Sequence, residues 1–145
     1  MVEVYTFTPP DFQRVARCQS HKFGVQHIEF SPDADVLVTV GDGNDKSVAV
    51  WNTANWSLRS TDKSNKQIHG LAFGQEYFIT CGQGFVRKHR YRTDETPVPY
   101  ELSEMAKKTF VGVGVAPSNQ TLFGITSDAI LCSFNDQLIH KWVDL

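Results

Sequence analysis

The sequence predicts an all-β chain of repeated four-stranded units, a partial β-propeller, on three observations. An apolar triplet spaced i, i+3, i+5 occurs three times, as Val25-Ile28-Phe30, Ile68-Leu71-Phe73 and Phe110-Val113-Val115. The copies start 43 and 42 residues apart, which is the length of a propeller blade. Each is followed by turn residues and a second apolar run: Val36 to Thr39, Tyr77 to Thr80 and Leu122 to Thr126.

The remaining elements fall into order around that period. Loops rich in Gly, Asp and Asn (Gly41 to Asp45, Gly82 to Gly84, Ser127-Asp128) lead into third strands at Ser47 to Trp51, Phe85 to Tyr91 and Ile130 to Phe134. Fourth strands are expected at Trp56 to Thr61 and Gln137 to Val143. The stretch Thr93 to Lys108 has room for one plus an insertion, and its Pro97 and Pro99 suit an edge strand or a loop. Ahead of the first full copy, Val2 to Phe7 alternates like a strand and Arg14 to Gln19 reads as another. The organisation expected is residues 1–20 as the end of a preceding blade, then blades at 21–63, 64–107 and 108–145. An immunoglobulin-like sandwich also strings short strands together but predicts no triplicate of one spacing. Only Glu101 to Lys108 favours helix, too short a stretch for a bundle.

Composition fits an ordinary soluble fold: 145 residues, 41% hydrophobic, 21% charged. A net charge of -2 gives no electrostatic pull toward nucleic acid or a membrane surface. No apolar run approaches the ~20 residues of a membrane span. Glu3, Pro9, Pro10 and Asp11 stand where a signal peptide is apolar, so the cytoplasm is the expected location. Cys18, Cys81 and Cys132 are odd in number and far apart, and read as small buried hydrophobes. The sequons at Asn55 and Asn119 matter only in a secreted chain.

One copy carries a specific signature. Asp45-Lys46-Ser47-Val48-Ala49-Val50-Trp51 resembles the third strand of a WD repeat, and His21 and Thr39 complete the set. The resemblance implies that His21, Thr39, Asp45 and Trp51 form a structural tetrad tying a blade's loop to its strands, because a buried carboxylate and imidazole must find partners. Heard as catalysis the same residues have no context, since no nucleophile elbow, phosphate loop or HExxH spacing accompanies them. In the second copy His89 replaces the Trp and Gly82-Gln83-Gly84 the turn Asp; in the third, Phe134 replaces the Trp. Those two blades are expected to rely on packing alone.

Ser20 to Val25, Phe78 to Gly82, Gly124 to Phe134 and His140 to Leu145 further resemble consecutive blades of the mitogen-activated protein kinase-binding WD-repeat scaffolds. That resemblance implies a non-enzymatic scaffold linked to kinases of the c-Jun N-terminal class or to centrosome and spindle assembly, with proteins as partners and no cofactor, metal, small-molecule substrate, nucleic acid or membrane. The family's docking segment and dimerising helix lie in a tail absent from this sequence. Lys107-Lys108 ahead of Val111 and Val113 mimics a docking pattern, but the two valines belong to the first strand of a blade. A second reading, by likeness to other WD-repeat families, is association with microtubules or a cilium. Its basis is the basic strand Val86 to Arg92, where Lys88, Arg90 and Arg92 leave one face as the candidate partner contact. Seven blades of ~40 residues need roughly 280. The chain is therefore expected to be a truncated piece that exposes apolar end faces and needs further blades or a partner to close a ring.

Overall fold

The computed structural model describes residues 1–145. Met1–Asn65 and Lys66–Leu145 form two compact units.

In the first unit, β1 (Val2–Thr8) and β2 (Asp11–Cys18) make an antiparallel hairpin. It is followed by a meander of β3 (Val25–Phe30), β4 (Val36–Gly41), β5 (Ser47–Asn52) and β6 (Leu58–Lys63), paired in that order in one four-stranded sheet. The runs Val36-Leu37-Val38 and Val48-Ala49-Val50 lack polar alternation because β4 and β5 are buried on both faces. The β3–β4 turn is fixed by Asp33, whose carboxylate accepts from the Ser31 hydroxyl (2.6 Å) and the Asp35 N–H (3.1 Å). Trp56, read from sequence as the start of the fourth strand, instead takes a left-handed turn conformation (φ 58°), and β6 begins two residues later. Cys18, Leu37, Ala49 and Trp51 form one core, with Val2 and Val4 of the hairpin packed on it.

The second unit holds two sheets. The first is β7 (Ile68–Phe73), β8 (Tyr77–Gly82), β9 (Phe85–Arg90) and β10 (Val98–Pro99). The second is β11 (Phe110–Val115), β12 (Leu122–Thr126), β13 (Ile130–Asn135) and β14 (Leu138–Asp144). β10 is only two residues long, because Pro97 and Pro99 have no N–H to give a ladder. The chain then pairs Glu101 in parallel with Leu138, and the 3₁₀ turn Ser103–Lys107 buries Met105. Tyr77, Ile79, Cys81 and Val86 of the first sheet share a core with Phe110, Leu122, Cys132 and Phe134 of the second. Close approach of β7 to its neighbours requires Gly70: a Cβ there would lie 2.8 Å from Cys81 Sγ and 3.4 Å from the Gly112 Cα.

The three four-stranded sheets share one irregularity. A register shift falls between Val25 and His27, between Ile68 and Gly70, and between Phe110 and Gly112. It explains the apolar spacing. On a regular strand i and i+3 face opposite ways, but an inserted residue turns i, i+3 and i+5 to one side. Thus Ile68, Leu71 and Phe73 pair with Gly82, Thr80 and Phe78, alternate residues of β8 that share a face. The chain is three antiparallel blades and a leading hairpin.

Apolar residues stay exposed within each unit. In the first, Phe7 and Phe12 stack on each other at the hairpin tip (4.6 Å between centroids) while 61% and 70% exposed. In the second, Phe123, Leu131, Trp142 and Val143 line a shallow groove on the last blade.

Candidate functional site

Two polar constellations stand out, one buried in the first blade and one at a cleft in the second unit. In the first blade, the loop before β3 brings His21 over β4 and β5. Its Nε2 lies 2.7 Å from Thr39 Oγ1, and its Nδ1 lies 3.0 Å from Asp45 Oδ2 and 2.9 Å from Ser47 Oγ. The indole N–H of Trp51 donates to Thr39 Oγ1 (3.1 Å), and the Ser47 hydroxyl donates to Asp45 Oδ1 (2.8 Å). Donor and acceptor roles are consistent along the whole chain of bonds. Trp51 donates to Thr39, whose own hydroxyl donates to His21 Nε2, leaving the ring proton on Nδ1 facing Asp45. Asp45 also accepts the Lys22 N–H (3.2 Å). Burial raises the Asp45 carboxyl, but bonds from Ser47, His21 and Lys22 outweigh it and hold the group below the usual carboxylate range. Gly41 is required beside this network, since a Cβ would sit 2.7 Å from Asp45 Oδ2. Ser47 is the fifth member. Sequence reasoning missed it, although its place two residues after the turn Asp was available as a signal.

The second blade corrects the expectation that it relies on packing alone. Register places Thr80 and His89 where the first blade has Thr39 and Trp51. His89 Nε2 lies 2.9 Å from Thr80 Oγ1, so an imidazole nitrogen takes over the bond of the indole N–H. The ring also stacks on Phe78 at 4.5 Å. Burial, aided by the Arg87 guanidinium, pushes His89 down to about 4. Because the folded state resists the proton, the unfolded chain binds more protons between pH 4 and about 6.5, and stability rises with pH across that window. Acid titration from pH 7 to pH 4 is expected to cost the second unit about 3 kcal/mol. Urea unfolding of the wild type and of His89→Phe at both pH values checks this, with a markedly flatter profile expected for the variant.

In the third blade the same two positions hold Gly124 and Phe134. No hydrogen bond is available there, and aromatic packing replaces it. Phe110 fills the space over Gly124, where a Cβ would meet its ring at 3.0 Å, and Tyr100 meets Phe134 edge-on at 5.3 Å. The turn glycines also divide by role. Gly84 has positive φ (70°), whereas Gly82 is needed for close approach, a Cβ there lying 2.3 Å from the Gln67 carbonyl.

The basic run of β9 and the two residues after it does not present three free cations. Arg90 is ion-paired to Glu95 (3.3 Å) and Arg92 to Glu76 (3.6 Å). His89 and Tyr91 on the other face are buried. Lys88 differs: half-buried, it carries its ammonium 4.2 Å above the Tyr77 ring and has no carboxylate partner. Burial, followed by the charge of Arg90, lowers its pKa. It lines a polar cleft of ≈ 560 Å3 together with Tyr77, Tyr100, Gln120, Asp136 and Gln137. The rim turns carry left-handed backbone at Gln120 (φ 57°), Asp136 (φ 48°) and Gln137 (φ 67°). The Gln75 N–H donates to Gln120 Oε1 (2.6 Å), pinning one rim turn to the neighbouring blade.

Other sequence candidates have structural places. Cys18, Cys81 and Cys132 are buried, and burial pushes the Cys81 thiol up to about 12. Lys108 is ion-paired to Asp128, and Val113 packs on the core of the second unit. No cluster of three His, Cys, Asp or Glu is placed to hold a metal, and no helix is long and apolar enough to cross a membrane.

No family model matches the sequence. The chain is similar to proteins named WD repeat-containing protein 90. With that of Mus musculus it shares 42% identity over 53 residues, 37% of this chain and 3% of the relative. With that of Homo sapiens the identity is 39% over 69 residues, 46% of this chain and 4% of the relative. With that of Xenopus tropicalis it is 27% over 95 residues, 63% and 5%. The chain thus spans 3 to 5% of the length of these relatives. Among solved structures, the structure of U3-55K superposes with a TM-score of 0.72 at 8% identity, over 87% of this chain and 41% of that one.

Proposed function

We infer that this chain, three WD-repeat blades behind a leading hairpin, is a protein-interaction platform that turns over no substrate. The observation that carries the reading is how its one Asp-His-Thr set is used. Both ring nitrogens of His21 are occupied by Asp45, Ser47 and Thr39, and its side chain is only 2% exposed. A general base needs a free nitrogen within reach of a substrate, and here none is offered. What the blades do offer is a rigid frame with turns at its edges, the arrangement on which binding residues are commonly displayed. The likeness to WD-repeat proteins supports the same role.

The narrower reading, a scaffold for kinases of the c-Jun N-terminal class or for centrosome and spindle components in the cytoplasm, rests on the motif resemblance at Gly124 to Leu145. Association with microtubules or a cilium draws on the basic strand, and the pairing of Arg90 and Arg92 with glutamates weakens its electrostatic basis. Cross-linking of the purified chain in a cytosolic extract, read by mass spectrometry, tests the platform reading. Links from rim lysines such as Lys66, Lys88 or Lys108 to a reproducible partner protein are expected. Links confined to the chain, or spread evenly over abundant proteins, contradict it.

A further inference from the structure

We propose that the cleft at Lys88 is a receptor for a single carboxylate side chain, Asp or Glu, of a partner's peptide segment. The proposal rests on the platform reading and names what that platform recognises. Four observations combine. Lys88 lies at the polar edge of the core that joins the two sheets of the second unit, on the same face as Tyr77 and Ile79, and its ammonium rests on the Tyr77 ring. The neighbouring cations Arg90 and Arg92 each already have a glutamate partner; Lys88 has none. A cation held by a ring and partly removed from water gains most from an anion delivered to it. The second donor is Tyr100, which also lines the cleft and whose phenol, protonated at neutral pH, has an O–H to give.

The cleft's size and charge choose the ligand. Its ≈ 560 Å3 has room for a side chain together with the peptide backbone on either side of it. Leu122 and Phe134 line it for the methylenes of a Glu, while Asn119 and Gln137 set amides at the rim for a peptide backbone; the Gln120 amide is already held by the Gln75 N–H and the Pro117 carbonyl. Asp136 also lines it, so the cleft offers one cation against one carboxylate. A bound monoanion leaves one net negative charge in the cleft and a phosphate leaves about two, so the Asp136 carboxylate disfavours phosphate more strongly than a carboxylate.

The test is a titration of the 15N-labelled chain with acetylated, amidated Ala-Tyr-Glu-Ala-Ala and with the same peptide carrying Gln or phosphoserine in place of Glu. Saturable shifts are expected at the backbone amides of Gln120, Thr121, Asp136 and Gln137 with the Glu peptide. Binding is expected to weaken at least tenfold with the Gln peptide and in Lys88→Gln. Asp136→Asn keeps the left-handed turn, which Asn tolerates well, and is expected to tighten Glu-peptide binding several-fold. Equal binding to Lys88→Gln, no saturable shift with any peptide, or no gain in Asp136→Asn overturns the site. Tighter binding of the phosphoserine peptide overturns the carboxylate assignment. Repeating the cross-linking with Lys88→Gln separates the two readings: a partner captured equally well by the variant defeats this site and leaves the platform intact, while no partner in either defeats the platform.

Discussion

Asp45→Ala is expected to destabilise the first unit by about 3 kcal/mol, with a fall in its melting temperature on the order of 15 °C. Asp45 is the terminus of the hydrogen-bonded set and its only charge. Removing it deletes three bonds to a carboxylate, from Ser47, from Lys22 and from His21 Nδ1, and leaves the buried His21 with Ser47 alone on that side. Hydrogen bonds to a charged group are worth roughly 1.5–3 kcal/mol each, and their loss is partly offset because the carboxylate no longer has to be buried. Thermal unfolding of wild type and variant side by side measures it. A change under about 1 kcal/mol means that the blade does not depend on the set.

Phe110→Ala is expected to cost the second unit about 4 kcal/mol. Phe110 is fully buried in the core joining the two sheets, and the residue beneath it is Gly124, which has no side chain to collapse into the space. The deficit should therefore appear as a cavity. Gly124→Ala alone crowds the Phe110 ring, since its Cβ lies only 3.0 Å away, but in the Phe110→Ala background that contact is gone and only the Phe134 ring, at 3.3 Å, stays close. The double variant is expected to be more stable than the sum of the singles predicts, by at least ~0.5 kcal/mol, in a cycle of chemical denaturation. Simple additivity is the contrary result.

The fold was legible for a reason the residues only half disclose. The spacing i, i+3, i+5 is neither a strand period nor a helical one, and it recurs because each blade has the same bulge in its first strand. The set in the first blade was legible too, since His21, Thr39, Asp45 and Trp51 all keep their expected types. The second blade was not. His89 in a Trp position reads as a loss until geometry shows its Nε2 on Thr80. The basic strand misled for a different reason. Alternation carries Lys88 and Arg90 to one face but stops there, since β9 ends at Arg90 and Arg92 lies beyond it; Glu76, which pairs with Arg92, lies in the preceding hairpin, out of reach of any local reading. The Lys88 cleft was equally hidden, because its lining comes from five separate segments of the chain.

The measurement that tests the blade architecture most directly is hydrogen exchange at the three tryptophan indoles. Trp51 is 5% exposed and donates to Thr39, whereas Trp142 is half exposed and Trp56, partly buried in a turn against the same core, has an indole N–H without a hydrogen bond. The account predicts one slowly exchanging indole N–H and two fast ones, with the slow signal lost in Asp45→Ala. Three indoles exchanging at similar rates, or a slow signal that persists in the variant, would contradict it.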